Sequence, residues 1–114
     1  MLSLSYIQER MSKIKDWAVD SGVAIVKDFS FNSFKEAMDF VNNVAEIAET
    51  QNHHPDIIIS FRNVRISSTT HEENGLTSKD FDLAEEIDKI GKEEVKTETA
   101  EENNEKKDGE AAEE

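Results

Sequence analysis

The chain has 114 residues, with 13 Lys and Arg against 26 Asp and Glu, so its formal net charge is −13. This length predicts one folded domain. The negative charge argues against direct binding to nucleic-acid phosphates, and no apolar run approaches the ~20 residues of a membrane span. Since the chain has no cysteine, a disulfide framework and a thiolate nucleophile are excluded. The N-terminus has no basic segment before an apolar core, which predicts a cytoplasmic location, with the nucleus also open.

The composition changes at about residue 90. All eight aromatic side chains lie in residues 1–90, whereas residues 91–114 hold ten acids, four Lys and only four apolar side chains. A segment so polar and charged cannot bury enough apolar surface to fold. The sequence therefore predicts a folded domain over residues 1–90 and a disordered acidic tail over residues 91–114.

The first half of the domain shows two apolar periods. Residues 2–14 have helical spacing and predict a short amphipathic helix, whereas from Val23 the period changes to two, which predicts a strand. Ser33 and Glu36 then form a capping-box pattern that opens a helix over residues 33–50. The predicted apolar stripe of that helix is Phe34, Ala37, Met38, Val41, Val44, Ala45 and Ala48.

The second half predicts a β-hairpin and a last helix. A two-residue turn at residues 62–63 pairs Phe61 with Val64, which places the apolar residues of both strands on one side. Thr77 to Asp80 forms a second capping box, which opens a helix expected to stop at Gly91. Antiparallel strands with helices on one face make an α+β fold.

All three histidines lie outside the predicted core. His53 and His54 follow the second helix and His71 follows the last strand, so the hairpin between them can bring the three rings together. Glu49, one helical turn before His53, can orient or charge-pair with that ring. Asp80 can do the same for His71, or only cap its helix.

Imidazole groups titrate near neutral pH and therefore suit proton transfer. Two alternatives stay open: the three histidines are idle surface residues, or they bind zinc. Adjacent histidines in an extended chain point to opposite faces, and no cysteine supports a metal site. We therefore predict no metal.

Two motifs carry a resemblance to a known family. Residues 49–56 (ETQNHHPD) and residues 70–80 (THEENGLTSKD) resemble the signature of the pterin-4a-carbinolamine dehydratases. Trp17 and the F-x-F-x-x-F run at residues 29–34 resemble the aromatic run that precedes this signature in the family. The likeness covers residues 2–90, which is essentially the whole predicted domain.

The resemblance implies a fold and an activity. The expected fold is a four-stranded antiparallel sheet with about three helices on one face, assembled as a homodimer or homotetramer. The expected reaction is the dehydration of 4a-hydroxytetrahydrobiopterin to quinonoid dihydropterin, in the recycling of tetrahydrobiopterin, with no metal and no organic cofactor. An animal member of the family doubles as a dimerisation cofactor of a transcription factor. A second hypothesis is therefore a non-catalytic pterin-binding or dimerisation module.

The resemblance also implies roles for individual residues. His53 and His71 are expected to form the main acid–base pair, and His54 to polarise the substrate at its hydroxyl-bearing carbon. The expected substrate-binding residues are Asn52, His53, His54, Thr69, Thr70, His71 and Glu72. Glu49 and Asp80 are expected to orient these side chains without binding the substrate themselves.

Overall fold

The computed structural model describes the backbone of residues 2–99 and the side chains of residues 2–90. The elements are α1 (Leu4–Met11), β1 (Ala18–Asp20), β2 (Ala24–Ser30), α2 (Phe34–Gln51), β3 (Asp56–Ser60), β4 (Asn63–Ser68), a 3₁₀ turn (His71–Glu73) and α3 (Ser78–Thr99). The four strands form one antiparallel sheet in the order β1-β2-β4-β3. The predicted α+β fold is confirmed. Within the described residues, no helix is both long and apolar enough to cross a membrane.

The core lies between one face of the sheet and the helices. Alternate residues of the central strands, such as Ile25 on β2 and Ile66 on β4, are fully buried. The residues between them, such as Asp28 and Arg65, are exposed on the other face. The helices also contribute large, fully buried side chains, which are Phe40, Val44, Phe81, Leu83 and Ile87. Burial on one side at period two is what an antiparallel sheet with one covered face produces.

Strand β1 is too short for the sequence pattern to reveal. It has three residues, Ala18–Asp20, all exposed, and it pairs with β2 across the Ser21-Gly22-Val23 turn. A period-two pattern cannot be recognised in three residues. Val23, where the sequence pattern placed the start of a strand, lies in that turn, and β2 begins one residue later.

Helix α2 begins as predicted but presents a different stripe. The hydroxyl of Ser33 accepts a hydrogen bond from the Glu36 backbone N–H at 3.1 Å, as a capping residue does. The core side of the helix contains Phe40, which is fully buried, whereas Phe34 is 52% exposed. Ala45, also in the predicted stripe, is exposed. The predicted stripe was therefore wrong at Phe34 and Ala45, and it lacked Phe40.

The hairpin has a different register from the predicted one. Ser60 pairs with Asn63 and Ile59 with Val64, so Phe61 lies in the turn with φ +56° and is 67% exposed. The predicted pairing of Phe61 with Val64 was wrong by two residues. A shift of two keeps each side chain on its face, so the apolar sides of β3 and β4 still coincide as expected.

Helix α3 continues beyond its expected end. Its backbone is helical from Ser78 to Thr99, so Gly91 lies within the helix instead of stopping it. A single glycine costs only about 1 kcal/mol in a helix interior, and the Lys, Glu and Val that follow it tolerate the helix. The predicted tail therefore begins inside α3, and its residues 100–114 lie outside the described part of the chain. The division at residue 90 stays a prediction.

Candidate active site

The C-terminus of α2 places His53. Asn52 adopts the left-handed conformation, with φ 53° and ψ 44°, which asparagine tolerates better than most residues. The His53 N–H donates to the Ala48 carbonyl at 3.0 Å and the Asn52 N–H to the Glu49 carbonyl at 3.2 Å. These two bonds form a Schellman motif. The motif turns the chain sharply back, so that His53 is 8% exposed, although the sequence predicted it outside the core.

Asp80, in the first turn of α3, holds the ring of His53. The carboxylate is fully buried, and its Oδ1 lies 2.7 Å from His53 Nε2. Oδ1 also accepts a hydrogen bond from the Ser68 hydroxyl at 2.6 Å. Oδ2 accepts from the Thr70 hydroxyl at 2.8 Å and from the Thr77 backbone N–H at 3.0 Å. Four partners therefore surround one carboxylate, as a buried charged group requires.

The pairing of acids with histidines differs from the predicted one. Asp80 contacts His53, not His71, while it also accepts from the Thr77 N–H as a helix cap. Glu49 contacts His54, not His53, through Oε2 at 2.6 Å from Nε2. The cause is the Schellman turn, which directs the ring of His53 inward and leaves His54 at the surface beside Glu49.

His71 lies one residue beyond the Asp80 cluster. It begins the 3₁₀ turn and is exposed. The preceding residue, Thr70, is buried, donates to Asp80, and exchanges backbone hydrogen bonds with Gly75 across the turn. The backbone therefore ties His71 to the same carboxylate that contacts His53.

The other expected substrate-binding residues lie around this centre. Asn52 is exposed and ends α2, and Glu72 is exposed on the 3₁₀ turn. The hydroxyl of Thr69 donates to the Val23 carbonyl, which ties the end of β4 to the turn between β1 and β2. Of the expected set, the structure brings His53, Thr70 and Asp80 into one bonded cluster, with His54, His71, Asn52, Thr69 and Glu72 at its margins.

Two surface depressions flank the cluster. The larger, of about 410 Å³, is lined by Gln51, His53, Lys79, Asp82, Glu85 and Glu86. The smaller, of about 280 Å³, is lined by Thr70, Glu72, Glu73, Thr77, Ser78 and Lys79. His53 thus reaches one depression and Thr70 the other, and both belong to the bonded cluster around Asp80.

Arg10 of α1 balances part of the negative charge at the larger depression. Its guanidinium lies 2.7 Å from Asp82 and 3.1 Å from Glu85. Burial alone would lower the pKa of Arg10, but its hydrogen bonds with Asp82, Tyr6 and Glu85 outweigh burial and raise it. Among the described residues, no group of three or more His, Asp or Glu side chains is arranged to hold a metal ion.

Sequence reasoning missed several residues of this region. Ser68 donates to Asp80, and the larger depression is also lined by Gln51, Lys79, Asp82, Glu85 and Glu86. Ser68 had a signal: it is a polar residue on the inward face of β4, at period two from Val64 and Ile66. A buried polar side chain needs a partner, so this position pointed to a polar cluster.

The comparison with known families shows the family to which the chain belongs. The family model described as pterin 4 alpha carbinolamine dehydratase matches residues 1–90. The chain belongs to this family. Two curated relatives carry the name "Putative pterin-4-alpha-carbinolamine dehydratase". The relative from Roseiflexus sp. is 49% identical over 89 residues, which cover 78% of this chain and 95% of the relative. The relative from Sulfurisphaera tokodaii is 43% identical over 84 residues, which cover 74% and 89%.

Solved structures of similar fold include proteins with other roles in their names. A "transcriptional coactivator/pterin dehydratase" from Brucella melitensis matches with a TM-score of 0.75 and 32% identity, covering 79% of this chain and 97% of that one. A pterin dehydratase-like protein described as a RuBisCO assembly factor matches with a TM-score of 0.58 and 18% identity, covering 69% and 93%. At that identity the second likeness shows the fold alone.

Proposed function

We propose that this protein is a hydro-lyase that dehydrates 4a-hydroxytetrahydrobiopterin to quinonoid dihydropterin in the recycling of tetrahydrobiopterin. The observation that carries the proposal is the buried His53–Asp80 pair beside a 410 Å³ depression, in a chain of the pterin carbinolamine dehydratase family. An acid–base reaction needs a proton-exchanging group held in a fixed orientation at an accessible surface. This pair fits that requirement.

The proposed reaction breaks two bonds of the substrate, the N5–H bond and the C4a–OH bond. The proton on N5 of the pterin ring passes to a base, and the N5–H electron pair becomes the second bond between N5 and C4a. The C4a–OH bond breaks, and the hydroxyl takes a proton from an acid and leaves as water. The protein thus loses one proton and gains one, and the elimination needs neither an oxidant nor a reductant.

The hydrogen bonds around Asp80 favour His53 as the base. A carboxylate can only accept hydrogen bonds, so the contact at 2.7 Å is a hydrogen bond donated by His53 Nε2–H. The neutral ring then offers Nδ1 as an acceptor. Asp80 stabilises the imidazolium that forms when Nδ1 takes the N5 proton, as the aspartate does for the histidine in hydrolase triads. We assign the acid to His71, and the polarisation of the C4a hydroxyl to His54.

The remaining expected residues have supporting roles in this proposal. Asn52, Thr69, Thr70 and Glu72 bind the pterin, and Asp80 and Glu49 orient His53 and His54 respectively. We propose no cofactor and no metal for the reaction. The cytoplasmic location, with the nucleus as an alternative, stays a prediction.

The test is a dehydratase assay on the purified full chain. An aromatic amino acid hydroxylase generates the 4a-carbinolamine in situ, and absorbance follows its decay. We expect His53→Ala and His71→Ala each to lower turnover by ~10²-fold or more, the usual scale for acid–base groups. Near-normal rates in both variants would contradict the site. No acceleration by a folded wild-type protein would contradict the activity itself.

That last outcome would favour a second candidate, a non-catalytic pterin-binding or dimerisation module. The name of the Brucella melitensis protein, which joins coactivator and dehydratase, supports it. Isothermal titration with a pterin then separates a binding module, which binds without turnover, from a protein with no pterin site.

We also propose a homo-oligomer, a dimer or tetramer. Strand β3 is at the edge of the sheet, and Ile58 at its centre is 59% exposed. Antiparallel pairing of two β3 strands about Ile58 would place Asp56 opposite Ser60, so that no like charges meet. Edge strands with apolar side chains readily pair with a second chain. Sedimentation equilibrium measures the mass, and a monomer at micromolar concentration would contradict this proposal.

A further inference from the structure

The proposed function leaves one buried hydroxyl of the site without a role. Ser68, the last residue of β4, is fully buried, and its hydroxyl donates to Oδ1 of Asp80 at 2.6 Å. This is the same oxygen that lies 2.7 Å from His53 Nε2. Ser68 and His53 therefore share one acceptor atom, so a change in either hydrogen bond alters the strength of the other.

The other hydrogens of the cluster can be assigned in the same way. Thr70 gives its single hydroxyl hydrogen to Asp80, so the contact of 2.8 Å between the Thr70 and Thr77 hydroxyls is a hydrogen bond donated by Thr77. The Thr77 hydroxyl in turn accepts from the Lys79 backbone N–H at 3.3 Å. Oδ2 is thus held by a chain of donors from the start of α3, while Ser68 is the partner of His53 on Oδ1.

We propose that Ser68 is a positioning residue of the dehydratase site, which sets the orientation and the basicity of His53 through Asp80. Its hydroxyl fixes the rotation of the carboxylate, so that Oδ1 faces the imidazole Nε2–H. It also draws part of the negative charge of Oδ1 toward itself, which weakens the stabilisation of the His53 imidazolium. The kinetic part of this inference rests on the proposed function, whereas the coupling of Ser68 to His53 does not.

The remaining charges around His53 stay constant when Ser68 is changed. Asp80 faces the ring directly, and four further charged groups of α3 line the depression that His53 reaches. One carboxylate of α2 and the imidazole that follows His53 are its neighbours in the chain. One guanidinium of α1 reaches the rim of the depression. These groups are Lys79, Asp82, Glu85, Glu86, Glu49, His54 and Arg10. The Ser68 hydroxyl hydrogen-bonds to Asp80 and to none of these groups, so a shift on substitution reports the hydroxyl.

The experiment compares Ser68→Ala with Ser68→Thr and with a control on the same strand. Ser67 is the matched control, because it neighbours Ser68 but belongs to the other face of the sheet, opposite Asp56 and Val26. We expect Ser68→Ala to lower kcat about fivefold with KM changed less than twofold, since without the hydroxyl the carboxylate and the imidazole that it holds are less well oriented, while no contact with the substrate is lost. Ser68→Thr, which keeps the hydroxyl, restores the rate, and Ser67→Ala leaves it unchanged.

The decisive readout is the titration of His53 itself, followed by NMR of its ring nitrogens in ¹⁵N-labelled protein. The titration midpoint should rise by roughly 0.5 pH units in Ser68→Ala, because Oδ1 then stabilises the imidazolium more strongly. The midpoint pH of the acid limb in the pH profile of kcat/KM should rise together with the NMR midpoint. Ser68→Thr and Ser67→Ala should keep the wild-type midpoint. A purely structural role for Ser68 would lower the thermal transition without moving the midpoint.

Two results would overturn the inference. A midpoint in Ser68→Ala that equals or lies below the wild-type value overturns the inference, whatever the stability of the variant, and so does a Ser68→Thr variant that behaves like Ser68→Ala. If Ser68→Ala does not fold, Ser68→Cys, which keeps the volume but donates weakly, serves in its place. If the wild-type protein shows no dehydratase activity, the proposed function fails, and the NMR titration still decides the role of Ser68.

Discussion

Two carboxylates on α3, about two turns apart, differ in the kind of partner they hold. Asp80 is fully buried and accepts from an imidazole, two hydroxyls and one backbone N–H. Asp88 is partly buried and accepts from the Trp17 indole at 2.9 Å, the Lys27 ammonium at 2.9 Å and the Lys15 backbone N–H at 3.0 Å. The number of hydrogen bonds is similar, but the chemistry is not.

The difference lies in which partner can exchange a proton near neutral pH. Imidazole is a side chain suited to proton exchange, whereas an indole, an amide and an ammonium ion keep their protons near neutral pH. The Asp88 cluster instead joins three parts of the chain, since it ties the loop after α1 and strand β2 to α3. Of these two carboxylates with several donors, only Asp80 has an imidazole partner, and only Asp80 belongs to the candidate site.

Among the substitutions that test this contrast, Asp80→Asn is expected to have the largest effect. The amide cannot accept from all four donors, so the free energy of unfolding should fall by about 2–3 kcal/mol. Turnover in the dehydratase assay should fall by ~10²-fold or more, since His53 loses its charged partner. Urea denaturation and the assay on folded protein measure the two effects separately. Unchanged turnover in a folded variant would remove Asp80 from the proposed mechanism.

Asp88→Asn is the matched variant on the same helix. It leaves the partly buried Lys27 ammonium without its carboxylate, so we expect the free energy of unfolding to fall by about 1–3 kcal/mol. Turnover per folded molecule should stay at the wild-type level, because no group of this cluster contacts the candidate site. The same two measurements apply. If Asp88→Asn lost turnover to the same extent as Asp80→Asn, the contrast between the two carboxylates would not hold.

The smallest expected effect is on the open face of the sheet, where Arg65 lies 2.8 Å from Asp28. Hydrogen bonds from Arg65 lower the pKa of Asp28 from its ordinary value. A lowered carboxyl pKa stabilises the fold above the unfolded-state value, near 4, and this stabilisation is lost as the pH falls through the folded-state value. Arg65→Gln should therefore lower Tm slightly at pH 7, less than Asp88→Asn does, and should not lower it at a pH below the folded-state pKa of Asp28. An equal Tm difference at both pH values would mean that Arg65 acts through packing.

The sequence predicted which residues lie close together better than it predicted their pairing. The three histidines, Glu49, Asp80 and Thr70 were all singled out from motif and resemblance. However, Glu49 was matched with His53 because the two are one helical turn apart, and the structure places it beside His54 instead. A left-handed residue at the end of α2 caused this exchange. Helical spacing applies only as far as the helix continues, and the direction of the chain beyond it depends on how the next strand packs.

Periodic features were predictable because they repeat. Helix α2 and the apolar faces of β3 and β4 follow from patterns of period 3.6 and two over many residues, and the Ser33 cap follows from the capping-box motif. Strand β1, the exact turn of the hairpin and the end of α3 do not, since three residues, a register shift of two or a single glycine leave no distinct period.

The amino-acid sequence by itself determined the α+β class, the membership of the dehydratase-like family and the residue types available for acid–base chemistry. Local propensity and apolar period encode the first, and short motifs encode the others. Only the tertiary structure decided that Asp80 holds His53 and that Ser68 shares its oxygen. His53 follows α2, Ser68 ends β4 and Asp80 lies in α3, and hydrogen bonds between such distant segments form only when these segments pack around one buried carboxylate.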